Sequence, residues 1–344
     1  MKVWLKYKSV TTHFNNLGFF VLIAVFSLIG KPTERWEIFD TNKFPDIEIN
    51  VIAIDSLGDT WFGTRSGLVK YSTSENWETF TTSNTGGGLI GDHITCITVD
   101  SYGDIWIGTT SGLSVYSNGS WNSYSQATTN GDLPDNHIMS ISLDKNNHKW
   151  IGTNSGFAKL EESIWTTYSG NKIAGLLPDH RIFAIAAADG DGAWLGTVAG
   201  LIRFNGSTYE RYTKENTSGR LPNNYINHMT YDHQGGLWVC TQDGVVRIMA
   251  QEWKTYSSKT HTDLPGTEAY YVSVGKSGSI YLGFKGGGAR LKDALWRSFT
   301  VSNTNAGLLS KRVHSILEGK NGEIWFGTRK GLCKLITLDI KKPE

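Results

Sequence analysis

One eight-residue phrase returns seven times along this chain, and it leaves few folds open. Trp61-Phe-Gly-Thr-Arg-Ser-Gly-Leu68 recurs as Trp106-Ile-Gly-Thr-Thr-Ser-Gly-Leu113, Trp150-Ile-Gly-Thr-Asn-Ser-Gly-Phe157 and Trp194-Leu-Gly-Thr-Val-Ala-Gly-Leu201. It continues as Trp238-Val-Cys-Thr-Gln-Asp-Gly-Val245, the degenerate Tyr281-Leu-Gly-Phe-Lys-Gly-Gly-Gly288, and Trp325-Phe-Gly-Thr-Arg-Lys-Gly-Leu332. The steps are 45, 44, 44, 44, 43 and 44 residues. A fixed period of that size marks one supersecondary unit stacked on copies of itself. An aromatic pair keeps the same beat: Trp36/Phe39, Trp77/Phe80, Trp121/Tyr124, Trp165/Tyr168, Tyr209/Tyr212, Trp253/Tyr256 and Trp296/Phe299. The two motifs absorb every tryptophan except Trp4, so the indoles are assigned to packing between units rather than to stacking on a sugar. Pro45, Pro134, Pro178, Pro222 and Pro265 follow the period too.

Each unit reads as four short strands. In the second, Ile94–Val99 is a strand and Asp100-Ser-Tyr-Gly103 has the chemistry of a type I turn. Ile105–Thr109, Leu113–Tyr116 and Trp121–Tyr124 follow, with Gly112 supplying the positive φ that closes a hairpin. Four antiparallel strands in about 44 residues is one propeller blade. The fold class is therefore all-β, a single seven-bladed β-propeller. The run of repeats starts on the aromatic-pair strand, Trp36–Phe39, and ends after the third-strand segment Leu332–Leu335, so the N-terminal strand is expected to complete the last blade and close the ring. The glycine of Trp-x-Gly-Thr is expected to admit a neighbouring backbone or indole.

The first thirty residues read as an export signal or N-terminal anchor: Lys2, Lys6 and Lys8 precede the 13-residue apolar run 17–29. The expected organisation is leader 1–30, propeller 31–337 and tail 338–344, placing the protein in the periplasm, secreted, or anchored by an uncleaved leader. Beyond residue 30 stand 30 basic and 32 acidic side chains, which offers no basic footprint for nucleic acid. Cys96, Cys240 and Cys333 are far apart, form no zinc spacing and read as small buried side chains.

The repeats resemble the two-component-regulator propeller family, found in periplasmic sensor regions of hybrid two-component systems. The resemblance rests on Asp-x-x-Gly-x-x-Trp-x-Gly-Thr-x-x-Gly-Leu, intact at 55–68 and 100–113, and extends over roughly residues 36–335. It implies a ligand-binding domain, often for glycan fragments. Such sensors commonly add a second propeller, an immunoglobulin-like domain, a membrane helix and a kinase. None of these can be read here, so recognition rather than signalling is what the resemblance implies.

The longest loop of each unit precedes its inner strand and builds one face around the central channel. Just ahead of that strand lie Glu48, His93, His137, Arg181, Tyr225, Glu268 and Arg312, and one position earlier Ile47, Asp92, Asn136, His180, Asn224, Thr267 and Lys311. Symmetry makes each series a ring. Arg181, Arg312 and His180 are expected to meet an anionic group, and Tyr225 or Tyr270 to offer a stacking face. The bland alternative is loop polarity without function. A metal-dependent lyase or hydrolase would use His93, His137, Glu48 and Glu268. No nucleophile elbow, phosphate loop or dinucleotide fingerprint appears, so no enzyme, metal or cofactor is expected. The partner is a small ligand, carbohydrate or anionic, or a periplasmic or extracellular protein docked on the face or rim.

Overall fold

In the computed structural model, which describes residues 33–169, 179–188 and 190–338, the described residues form seven sheets of four antiparallel strands. Set around one axis, the sheets make a seven-bladed β-propeller. The leader, Pro178 and the tail beyond 338 lie outside the described residues. No described helix is long and apolar enough to cross a membrane.

Blade 2 runs Ile94–Val99, Ile105–Thr109, Leu113–Ser117 and Ser120–Tyr124 from the channel outwards. The Gly103 N–H donates to the Asp100 carbonyl at 3.0 Å, as the type I turn requires. Gly112 sits at φ 146°, a conformation closed to side-chain-bearing residues. The ring closes as expected: Thr33–Ile38 pairs with Gly331–Leu338, Trp36 opposite Leu335. A bidentate Arg297–Glu34 ion pair ties blade 6 to that closing strand.

The Asp-x-x-Gly-x-x-Trp motif is a turn-and-indole clamp. Asp55 Oδ1 accepts from the backbone N–H groups of Leu57, Gly58 and Asp59, and Oδ2 accepts from Trp61 Nε1 at 2.9 Å. Asp100, Asp144 and Asp232 hold Trp106, Trp150 and Trp238 in the same way. Burial pushes the Asp100 carboxyl up, but hydrogen bonds from Lys149, Trp106 and the backbone outweigh it and hold it below the usual range. The indoles pack between blades. Phe80 of blade 1 stacks on Trp61 and meets Trp121 of blade 2 edge-on, at 5.9 and 5.4 Å.

The phrase glycine admits the first residue of the next inner strand, through its side chain in most blades and through its backbone carbonyl at Gly283, and no indole. A Cβ on Gly63 would stand 2.6 Å from Ile94, and one on Gly196 2.6 Å from Ile226. This wedge is Ile49, Ile94, Ile138, Ile182, Ile226, Ala269 and Val313 around the ring, fully buried in every blade. Its backbone also reaches across, as when Ile94 N–H donates to the Thr64 carbonyl at 2.9 Å. Cys240 and Cys333 are buried, Cys96 is half-buried, and all three are free thiols.

Candidate functional site at the channel mouth

The seven inner strands begin with a wedge pointing into the blades, and the residue after it turns the other way. In blade 2, Ile94 pairs with Thr109 and Cys96 with Gly108, leaving Thr95 as the extra residue of a bulge. The same shift frees Met139, Asn227, Tyr270 and His314 from their ladders. Asn50 and Phe183 hold the corresponding places in blades 1 and 4. These seven residues line a half-open cavity of about 730 Å³ in the central channel.

Some of this ring is structural. The inner edge of each blade has no strand to pair with, so neighbouring side chains satisfy it. Asn50 Nδ2 donates to the Ile94 carbonyl at 3.0 Å, Thr95 Oγ1 to Ile138 at 2.7 Å, and Asn227 Nδ2 to Ala269 at 2.7 Å. Met139, Phe183 and Tyr270 face the cavity without such a task. Deeper in the channel the His228 ring lies 4.3 Å from that of Tyr271 and accepts from the Val272 N–H at 3.4 Å. Remote from bulk water though it faces the cavity, His228 is pushed down to about 4 by burial.

The expected ring of Glu48, His93, His137, Arg181, Tyr225, Glu268 and Arg312 stands two residues ahead of the cavity ring, outside the cavity; of the expected site residues only Tyr270 lines it. Glu48 is 8% exposed and bound to Arg65 at 3.1 Å. Its other oxygen is 3.0 Å from His314 Nε2, an ion-pair contact too poorly angled for a hydrogen bond. Burial, then Arg65, then His137 push His93 below its ordinary value, which places those groups side by side. Tyr225 packs on Phe183, ring centroids 5.3 Å apart. Glu268 is held by Lys285 at 2.9 Å, enough to keep it below the usual range against burial.

Two expectations need correction. Arg181 is forked onto Asp179, at 3.0 and 2.7 Å, so its charge is already met, and it stands three blades from Arg312. His180 is exposed beside Asp179. These two therefore do not converge with Arg312 on one anion. The earlier series is no second ring either: Asp92, Asn136 and Asn224 accept from the N–H groups of Thr82, Gln126 and Lys214 at 2.7 Å and close the long loops. The ligand set for a metal is likewise not assembled: among the described residues no three His, Cys, Asp or Glu side chains come together.

Sequence reasoning missed Arg65, Arg329 and His314. Arg65 and Arg329 lie inside the repeated phrase, at the place held elsewhere by Thr110, Asn154, Val198, Gln242 and Lys285. That position changes from blade to blade while its neighbours stay fixed, which is the signal that marks it. Arg65, Arg312 and Arg329 all push the His314 imidazole down, after burial, while Glu48 pulls it up. Arg312 lies 5.3 Å over the Tyr270 ring.

The family model described as "Two component regulator propeller" matches residues 88–111, 220–243 and 307–330. The chain carries two-component regulator propeller repeats. Among solved structures it resembles the extracellular domain of a hybrid two-component system of B. thetaiotaomicron, with TM-score 0.75 and 17% identity over 87% of this chain. That match takes in 41% of the solved domain, so the chain spans about two fifths of its length. It also resembles a catalytically inactive virginiamycin B lyase from Staphylococcus aureus solved with quinupristin, at TM-score 0.67 and 14% identity, covering 89% of this chain and 100% of that one. PorZ of Porphyromonas gingivalis, a surface component of the type-IX secretion system, matches with TM-score 0.61 and 17% identity, over 84% and 46% of the two chains. At these identities the likeness establishes the fold. No curated protein matches the sequence.

Proposed function

We propose that this propeller is an exported, non-catalytic recognition domain of the sensor kind, taking a small ligand or a partner protein at the loop-rich mouth of its channel. The observation that carries this is the mouth itself. Charged and aromatic side chains that differ from blade to blade stand over a cavity of about 730 Å³, within the range of about 300–1,000 Å³ usual for ligand pockets. Repeats shared with two-component regulators, and likeness to the extracellular part of one, support the sensor role. Glu48, His93, His137, Tyr225, Glu268, Tyr270 and Arg312 are the expected contacts, with His180 and Arg181 at the rim. A thermal-shift screen of the purified chain against oligosaccharides, small anions and peptides tests this. A ligand that raises the midpoint in the native protein and not in Arg312→Ala/Tyr270→Ala supports it. A shift indifferent to those substitutions places binding elsewhere.

A second reading, a lyase or hydrolase working from the mouth, is favoured by the contact between Glu48 and His314, a carboxylate and an imidazole at the edge of the cavity. Covering the whole length of a virginiamycin B lyase adds to it. Incubation with quinupristin followed by mass spectrometry decides: turnover abolished by Glu48→Gln establishes the enzyme, and an unchanged mass spectrum removes this substrate.

A further inference from the structure

The residues around the channel are unlike on its two sides. Blades 3 and 4 present Met139, Phe183 and, further down, Ile141. Blades 6 and 7 present Tyr270 and His314. These pairs face each other across a ring of seven, so one wall is apolar and the other polar.

Above the polar wall sit the three guanidinium groups that act on His314. Arg65 is engaged by Glu48. Arg312 and Arg329 make no ion pair among the described residues, and Arg312 is drawn over the Tyr270 ring instead. Cations beside a low-dielectric cleft focus its field and attract an anion. Guanidinium forks match a carboxylate in charge and in geometry. A second observation points inward. The Tyr270 side chain lines the cavity with Glu268 and Arg312 beside its hydroxyl, and that hydroxyl has no hydrogen bond of good geometry to either. Buried polar groups in folded proteins nearly always have a full partner, so a hydroxyl left short of one at a cavity wall can serve an occupant.

We propose that the channel binds a small amphipathic carboxylate, its head group between Arg312 and Arg329 and its apolar body along Met139, Phe183 and Ile141. The proposal rests on the recognition reading above and adds the class of ligand. Tyr270 donates its hydroxyl proton to the carboxylate. A bare inorganic anion would leave the apolar wall wet. A neutral sugar would leave both arginines unmatched and set hydroxyls against Met139 and Ile141.

Isothermal titration of the whole chain with butyrate, hexanoate and octanoate, and with neutral octanamide, tests it. Affinity is expected to rise on the order of fourfold for each methylene buried, and octanamide to bind at least about tenfold more weakly than octanoate. Arg312→Ala/Arg329→Ala weakens octanoate at least about tenfold and preserves the dependence on chain length. Met139→Trp fills the channel and weakens octanoate more than butyrate. Should that variant fail to fold, Phe183→Asp sets an anion on the apolar wall and gives the same loss. Equal binding of octanoate and octanamide, indifference to the two arginines, or no octanoate binding overturns the proposal. If a neutral oligosaccharide binds where octanoate does not, the carboxylate assignment falls and the recognition reading stands. If carboxylates, oligosaccharides and peptides all fail, both fall.

Discussion

The seams between blades and the mouth of the channel respond to sequence change in opposite ways. At the seam, one change is answered by another. Blade 5 carries Cys240 where the other blades carry glycine, and the wedge that packs there is Ala269 instead of Ile or Val. Blade 7 keeps Trp325 but carries Gly319 in place of the clamping aspartate, and its indole Nε1 donates to Glu323 at 3.3 Å instead. At the mouth no ion pair answers Arg312 or Arg329 among the described residues, and Arg312 lies over the Tyr270 ring near Glu268. Packing tolerates only matched changes because a core has no slack. Uncompensated like charges are tolerated where water screens them, and they mark a surface selected for something besides stability.

Breaking a seam gives the largest expected effect. Trp150 is fully buried, and its Nε1 reaches Asp144 at 3.3 Å. Trp150→Ala should cost about 3–5 kcal/mol of unfolding free energy by denaturant titration. A loss under about 1 kcal/mol would mean that the indoles are not what joins the blades.

Inside the channel the expected effect depends on pH. His228 has its imidazole pushed by burial from the ordinary 6.5 to about 4, so the folded state holds it neutral. Between those values the unfolded chain binds a proton that the folded one refuses, and stability therefore falls as pH drops from 6.5 towards 4. The loss reaches roughly 3 kcal/mol at the acid end. His228→Gln should flatten that limb of the stability profile; an unchanged slope would show the proton going elsewhere.

The pairing in blade 5 is open to a double-mutant cycle. Ala269→Ile alone overfills the seam beside Cys240 and should cost about 1–3 kcal/mol. Cys240→Gly alone opens a gap and costs somewhat less. Together they rebuild the glycine–isoleucine seam of the other blades, so the double variant should lie near the native midpoint, with a coupling energy of about 1–3 kcal/mol. Additive losses would show that the two positions are independent.

The blades were legible because strand period and turn chemistry act locally: the inner strand Ile94–Val99 begins and ends where its pattern does. Ring closure was legible from the phase of the aromatic pairs. The long loops repeat beyond their periodic prolines as well. Thr85 Oγ1 donates to the Thr81 carbonyl and accepts from Leu89 N–H, and Thr129, Thr217 and Thr304 do the same before Leu133, Leu221 and Leu308. Loop periodicity carries no hydrophobic alternation, so it hides among polar residues. The cavity ring was missed by two residues because a bulge decides which way Thr95 or His314 points, and a bulge is set by pairing with the next strand rather than by its own sequence. Glu48 and Arg312 were found at the mouth, but the ion pair of Glu48 with Arg65 depends on how the strands of blade 1 fold back, and the contact of Arg312 with Tyr270 on how blades 6 and 7 meet.

The smallest expected effect is the one that separates the two regions most sharply. If Arg312 and Arg329 are unmatched cations held near Arg65, removing them relieves repulsion and leaves packing untouched. Arg312→Ala/Arg329→Ala should then change the unfolding free energy by no more than about 0.5 kcal/mol, in the stabilising direction at low salt. The gain should shrink in about 0.5 M salt, where the Debye length falls to roughly 4 Å and exposed charges no longer feel one another. A loss above about 1 kcal/mol that persists in salt would make the arginines part of the seam, and the contrast between a compensated interior and an uncompensated mouth would fail. A small salt-sensitive gain would instead show that the mouth maintains charge at a cost in stability, as expected of a surface kept for an anionic visitor.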